Sequence, residues 1–374
     1  MGLRYDRDTN RRKNGPTIYF TDPTSLIMLT NEIRSALKNG LPTYVYKRPG
    51  DLTITFGTGS EVVVGTSTPG FVIAPFLPEL PYLTIPYRDS KGGEESSMTF
   101  PFPEQSTTEA EHEEEITAIK QALAANGGGK IIAAREIVEE GRVDVPATFF
   151  ELCRLHPDAF VFCFSTAQTG CWIGASPELL LEGRRGLLTT MALAGSRKSG
   201  SAQPWDKKNI EEQQIVADYI SETFARHNIS MERDETVTRR AGKVEHLCTL
   251  FQGEAESPLS DSTLSALLHD LSPTPALCGL PRSTALKVIG EQEKNGRGCY
   301  GGFCGPYRSP SDFTFQVTLR CARVDKDRYC VYTGGGITLL SDAKEEWEET
   351  TLKASTILES LCVYPGKTDK TKPN

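Results

Sequence analysis

Hydrophobic and polar positions alternate in short bursts along the first hundred residues. Tyr44–Tyr46, Leu52–Phe56, Val62–Val64 and Phe71–Ile73 are β-rich runs broken by Gly, Pro and Asp, which predicts consecutive short strands. From Leu77 to Thr108 the chain is dense in Pro, Ser and Gly and reads as a long surface connection. A helix should follow it, opened by Ser106/Thr107 and acidic through Glu109–Glu115, as the helix dipole favours. Beyond it strands and helices alternate. Lys130–Ala134, Phe160–Ser165, Cys171–Gly174, Leu179–Leu181, Leu187–Leu193, Phe313–Val324 and Tyr329–Tyr332 are predicted strands. Helices are expected at about Asp206–Arg226, Ser260–Leu271, Ser283–Lys294 and Ala343–Leu361. Several strands succeed one another without a helix between them, so antiparallel sheets should dominate over a doubly wound parallel one.

Composition narrows the class without naming it. The 374 residues can bury a sizeable core, and 38% apolar with 24% charged residues is ordinary for a globular chain. A formal net charge of −8 argues against nucleic acid or an anionic membrane as the main partner, because both need a basic face. An anionic small molecule needs only a local cluster of cations. The ten cysteines form no CxxC pair and sit mostly in apolar runs, where cysteine acts as a small hydrophobe. No apolar h-region opens the chain and no apolar stretch approaches membrane-spanning length, so a cytoplasmic protein with free thiols is expected. Nothing suggests an obligate assembly, so a monomer is the default expectation. The last residues, 365–374, are polar and expected to be disordered.

Some local patterns carry possible chemistry. Glu212 shares a helix side with Ile215, Val216 and Tyr219, and Glu346 and Glu349 stack at i, i+3 on the final helix. Three converging carboxylates would repel unless a hard cation sat among them; equally, Glu345–Glu349 reads as a solvated helix start with Glu349 paired to Lys353. Gly127-Gly128-Gly129-Lys130 fails the phosphate-loop pattern, so the glycines read as a helix stop. Lys130 then opens an apolar strand, a costly place for an ammonium without a task. Gly174–Glu178 puts a carboxylate in a Ser-Pro turn between apolar strands. Gly334–Gly336 could bring N–H groups to an anion or merely serve a bend in the sheet. Arg320 reads as a strand residue of undecided face. The five histidines show no metal-ligand spacing.

In order along the chain, GASPELLL (Gly174–Leu181), ALAGS (Ala192–Ser196), EHL (Glu245–Leu247), SPTPALCGLP (Ser272–Pro281), RGCYGGFCG (Arg297–Gly305), LRCARV (Leu319–Val324) and GGGITLLSDAKEEWEETTLK (Gly334–Lys353) resemble the chorismate-utilising enzymes. This family includes anthranilate, aminodeoxychorismate, isochorismate and salicylate synthases. The likeness runs from about Lys130 through the last helix, with residues 1–108 divergent. It implies a single domain of α/β (α+β) class: two large, mainly antiparallel sheets packed together, flanked by helices, with the site in a cleft.

Carried over position by position, Glu212, Glu346 and Glu349 resemble ligands of Mg2+, and Arg320 and Lys353 resemble carboxylate-binding cations. Tyr300 resembles a contact to the enolpyruvyl group. Ala194, Gly195, Ser196, Gly334 and Gly335 resemble backbone N–H donors to the substrate, with His246 and Ala276 beside it. Lys130 resembles the base that activates water for attack at ring C2, and Glu178 the acid that protonates the departing C4 hydroxyl. That division calls for a lysine of lowered and a carboxyl of raised pKa. Anthranilate synthases carry glutamine at the Lys130 position, and aminodeoxychorismate synthases carry lysine at Ala194. Both differences imply water chemistry with no glutaminase subunit. Ala276, where salicylate synthases tend to have threonine, resembles the isochorismate synthases. The product would feed menaquinone or siderophore synthesis. A pyruvate-releasing salicylate synthase and a non-catalytic chorismate-binding paralogue are the alternatives. Ser272, Gln213 and Asn209 depart from the family pattern, which has His, His and often an acid there.

Overall fold

The computed structural model describes residues 17–19, 22–88, 98–255 and 259–364. The expected disordered tail, 365–374, lies outside the described residues, as does part of the Leu77–Thr108 connection. Two large antiparallel sheets form the body. The first runs in the order Thr17–Tyr19, Thr53–Thr58, Thr43–Lys47, Phe160–Thr166, Gly170–Ser176, Cys321–Val324, Arg328–Ile337, Lys130–Glu140, Gly279–Leu280. The second runs Ile229–Arg233, Val244–Ala255, Leu187–Lys198, Leu179–Arg184, Asp312–Val317, Phe303–Ser309, Gly70–Ala74, Leu83–Pro86, Val63–Val64. Val237–Ala241 also pairs with Val244–Ala255. The strand Leu83–Pro86 sits inside the predicted loop, and its four residues are all buried.

The strand Phe160–Thr166 shows why the sheets stack. Phe160, Phe162 and Phe164 point into one core with Phe71, Trp172 and Phe315, while Val161 and Cys163 point into another. Period-2 alternation with both faces apolar marks a strand covered on both sides. Phe162 is fully buried between Phe160 and Phe164, with ring centroids 6.3 and 5.9 Å away. Phe162→Ala should therefore cost about 3–5 kcal/mol, read as a lower denaturant midpoint.

Helices close the outer faces. Helices α1 (Pro23–Lys38) and α3 (Val145–Leu155) cover the Val161/Cys163 side through Leu29, Ile33, Phe149 and Leu152. Neither is foreseen in the sequence pattern: α1 buries only Leu29, Ile33 and Ala36 while exposing Ile27 and Met28, which blurs its apolar stripe. Helix α2 (Glu109–Ala125) starts at Thr108 rather than Ser106/Thr107, and Thr108 makes a capping box with Glu111. Ser106 and Thr107 instead accept from Val138 N and Glu136 N, tying the helix entrance to the strand Lys130–Glu140. The remaining helices are α4 (Lys207–Arg226), α5 (Asp261–Leu271), α6 (Arg282–Gln292) and α7 (Ala343–Leu358), close to their predicted spans.

One predicted strand, Phe313–Val324, is in fact two. Asp312–Val317 belongs to the second sheet and Cys321–Val324 to the first. The chain crosses between the sheets at Thr318–Arg320, and Arg320 takes φ 49°, off any strand geometry. Arg320 thus has no strand face. It stands at the crossing, where the cleft opens.

Candidate active site

A cleft lies where the two sheets meet α4 and α7, its empty space about 580 Å³ when the open solvent at its mouth is included. Lys130, Glu178, Ala194, Gly195, Ser196, Glu212, His246, Ala276, Tyr300, Arg320, Gly334 and Lys353 all line it. Gly335, Glu346 and Glu349 stand at its margin instead.

Lys130 reaches the cleft because α2 ends at Ala125 and the turn Gly127–Gly129, each glycine with positive φ, launches the strand Lys130–Glu140. The glycines are the helix stop that the sequence suggested. Lys130 is 1% exposed, and its Nζ lies 2.6 Å from Glu212 Oε1. Glu178 sits in the turn between Gly170–Ser176 and Leu179–Arg184 and is 3% exposed. Burial pushes its carboxyl up to about 8, against the opposing pull of the nearby Lys130 ammonium and of the Thr274 hydroxyl, which donates to Oε1 at 3.5 Å. At neutral pH Glu178 therefore holds a proton.

The three candidate metal carboxylates on α4 and α7 each have a lysine. Besides Lys130–Glu212, Lys353 Nζ lies 2.6 Å from Glu349 Oε1, and Lys208 pairs with Glu346. Burial, then the Glu349 charge, raises the Glu346 carboxyl; for Glu349, burial is outweighed by Lys353, which holds it low. Among the described residues no three His, Cys, Asp or Glu side chains are gathered to hold a metal as they stand. The surroundings nonetheless fit a small hard cation. Glu346 Oε2 is buried with no hydrogen-bond partner among the described residues. Gly335 and Gly336 leave the space the carboxylates use: a Cβ would lie 2.8 Å from Glu346 Oε2 at Gly335 and 2.1 Å from Glu212 Oε1 at Gly336. The Gly334–Gly336 run is thus neither a bend nor an isolated anion loop. It is regular strand, paired with Ala134 to Ile132, cleared of side chains so that the carboxylates fit.

Arg320 is held by neutral acceptors: Lys353 O at 3.2 Å, Thr356 Oγ1 at 3.4 Å and His246 Nε2 at 3.0 Å. Those bonds orient the guanidinium without cancelling its charge, which suits an anionic ligand. Burial pushes it down to about 10. His246 Nδ1 faces Gly195 O at 2.8 Å, so Nδ1 donates there and Nε2 accepts from Arg320. Burial, Arg320 and Lys353 push His246 down to about 3, consistent with a neutral ring in that tautomer.

Two sequence expectations change. The N–H groups of Ala194 and Ser196 are already spent, donating to Gln213 Oε1 at 2.8 Å and Asn209 Oδ1 at 2.7 Å. They wall the cleft rather than offering donors to it. Lys208 and Thr274 were missed; Lys208 could have been found, because it lies at i−4 from Glu212 on the same face of α4.

The ordered motifs and this cleft agree with a match between residues 87–362 and the family model described as chorismate binding enzyme. The chain belongs to that chorismate-binding family. The isochorismate synthase EntC of Escherichia coli (strain K12) is 30% identical over 272 residues, covering 68% of this chain and 67% of that protein. The vibriobactin-specific isochorismate synthase of Vibrio cholerae serotype O1 is 31% identical over 247 residues, covering 62% of each. Among solved structures, MenF, the menaquinone-specific isochorismate synthase from Escherichia coli, gives a TM-score of 0.69 at 20% identity. That alignment covers 85% of this chain and 88% of that one, which establishes the fold. The two-sheet, single-domain α/β architecture expected of the family is the one observed.

Proposed function

We propose that this chain is a magnesium-dependent isochorismate synthase. The observation that carries the reading is a buried lysine and a buried glutamic acid opening on one cleft, the carboxyl pushed up by its burial. Lys130 takes a proton from water, whose oxygen bonds to ring C2 of chorismate. The C4–O bond breaks as Glu178 gives its proton to the leaving hydroxyl. One water enters and one leaves, so the net change is an isomerisation. Arg320 and Lys353 hold the substrate carboxylates, and Tyr300, stacked on Tyr332 at 5.7 Å, faces the enolpyruvyl group. The neutral His246 keeps Arg320 aimed, and Ala276 leaves the opposite wall small.

Glu212, Glu346 and Glu349 are the residues that would hold Mg2+. When bound there, the ion supplies positive charge against the ring carboxylate and offsets three neighbouring negative charges. Two features favour water over ammonia as the nucleophile: Lys130 itself and the absence of a lysine at Ala194. The reading thus requires no glutaminase subunit. Supply of menaquinone or of a siderophore, action as a monomer and a cytoplasmic location belong to the same reading. Among the described residues no helix is long and apolar enough to cross a membrane.

Product analysis tests it. Purified protein with chorismate and millimolar Mg2+ should yield isochorismate with no pyruvate above background, and chelation by EDTA should stop turnover until Mg2+ is restored. Stoichiometric pyruvate would identify a salicylate synthase. Chorismate binding without any product would identify a non-catalytic paralogue.

A further inference from the structure

Gln213 and Asn209 stand out in the sequence only as departures from the family pattern, and neither lines the cleft. The structure gives both the same work. The strand Leu187–Lys198 pairs with Leu179–Arg184 only through Leu187–Thr189, so from Thr190 onward that edge has no strand partner among the described residues. Residues two apart present their backbone groups to the same edge. Ala192 and Ala194 therefore both face α4, and Ser196 beyond them does so through its bond to Asn209. Gln213, 3% exposed, accepts from Ala194 N at 2.8 Å and donates to Ala192 O at 3.1 Å and to Thr249 Oγ1 at 3.0 Å. A primary amide offers both an acceptor and a donor, so it replaces one peptide of the missing strand. Asn209, 8% exposed, accepts from Ser196 N at 2.7 Å, and its own amide donates to the N-cap Asp206 at 2.8 Å.

The anchored stretch is irregular and faces the cleft. Ala194 pairs with Leu247 and Arg197 with Glu245, so one extra residue bulges out between them. Gly195, within the bulge, has φ 68°, and a Cβ there would lie 3.0 Å from Asn209 O. Its carbonyl is bonded to His246, which in turn holds Arg320. Left without partners, Ala194 N and Ser196 N would be unpaired donors, and the bulge would lose its fixed shape.

We infer that Gln213 and Asn209 are positioning residues for substrate recognition, clamping the Ala194–Ser196 bulge so that the cleft wall and Arg320 keep the shape that grips chorismate. The inference rests on the proposed substrate. Its effect is on binding, because the clamped backbone is a wall and not a reacting group.

The test compares wild type with Gln213→Leu, Asn209→Ala and Gln213→His. It measures KM and kcat at saturating Mg2+, the chorismate dissociation constant and, without substrate, the Mg2+ dissociation constant by calorimetry. Gln213→Leu and Asn209→Ala should each raise KM and the chorismate dissociation constant about tenfold, with kcat and Mg2+ binding changed by less than about threefold. Gln213→His, whose ring also offers one acceptor and one donor, should return KM to within about threefold of wild type. An unchanged KM in both Gln213→Leu and Asn209→Ala overturns the inference, as does a loss of kcat alone, the mark of a smaller folded fraction. If Gln213→Leu does not fold, Asn209→Ala decides. If wild type binds chorismate without turning it over, the isomerase reading fails, and the dissociation constants alone decide the inference. If wild type does not bind chorismate, both fall.

Discussion

Lys130→Ala is expected to lower kcat on chorismate by about 10²–10⁴-fold at saturating Mg2+, the usual contribution of a positioned general base. The side chain is 1% exposed and opens on the cleft, and its nitrogen sits 2.6 Å from Glu212. Its loss removes the one lysine placed at the end of the Lys130–Glu140 strand to receive a proton. It also strips Glu212 of its ammonium, so a fall in stability is expected as well. Rapid-mixing single-turnover rates, normalised to folded protein by thermal melting, separate the two effects. A variant retaining more than about a tenth of the wild-type rate would remove Lys130 from the chemistry.

Glu178→Gln is expected to lower kcat by a similar factor, because the amide keeps the shape but has no acidic proton for the leaving hydroxyl. Its pH behaviour gives a second, independent reading. The free-enzyme carboxyl is held up to about 8, so kcat/KM of the wild type should fall above about pH 8 as Glu178 loses the proton it must donate. The same shift bears on stability. Below the ordinary carboxyl range both folded and unfolded chains are protonated at Glu178. Between that range and about 8 only the folded chain binds the proton, so stability contributed by this group declines as pH rises and is gone above about 8. The difference amounts to a few kcal/mol at most. Glutamine does not titrate. The melting temperature of Glu178→Gln relative to wild type should therefore be higher at pH 9 than at pH 5; a constant offset would mean that the buried carboxyl is not held protonated.

Some elements were legible because local chemistry announces them. Helix α4 could be read from Asp206 through Arg226, since Asp206 caps it by accepting from Asn209 N and Val216, Ala217 and Ile220 bury one face. The turn carrying Glu178 follows from Ser176-Pro177, and the helix stop before Lys130 from Gly127–Gly129. Helix α3 was not legible. Its Asp144 cap and Pro146 are ordinary signals, but eleven residues with six of them buried read as another apolar run.

By itself the sequence determined most of the strands, the helices α2 and α4 to α7, the shared faces of Glu212 on α4 and of Glu346 and Glu349 on α7, and an ordered set of motifs specific enough to name the family. Those features are local or read in chain order, so no folded contact was needed to see them. Tertiary structure alone decided how the functional groups meet. It broke Phe313–Val324 between two sheets and put Arg320 at the crossing, which periodicity along one strand cannot show. It brought Lys130 to Glu212 and Lys208 to Glu346, whereas the Glu349–Lys353 pair, one helical turn apart, was already open to a reading of the sequence. It also spent the N–H groups of Ala194 and Ser196 on Gln213 and Asn209, turning two apparent departures into the clamp on the cleft wall. All but the Glu349–Lys353 pair rest on contacts between residues distant in sequence, and the partner of a buried polar group is set by packing rather than by its neighbours in the chain.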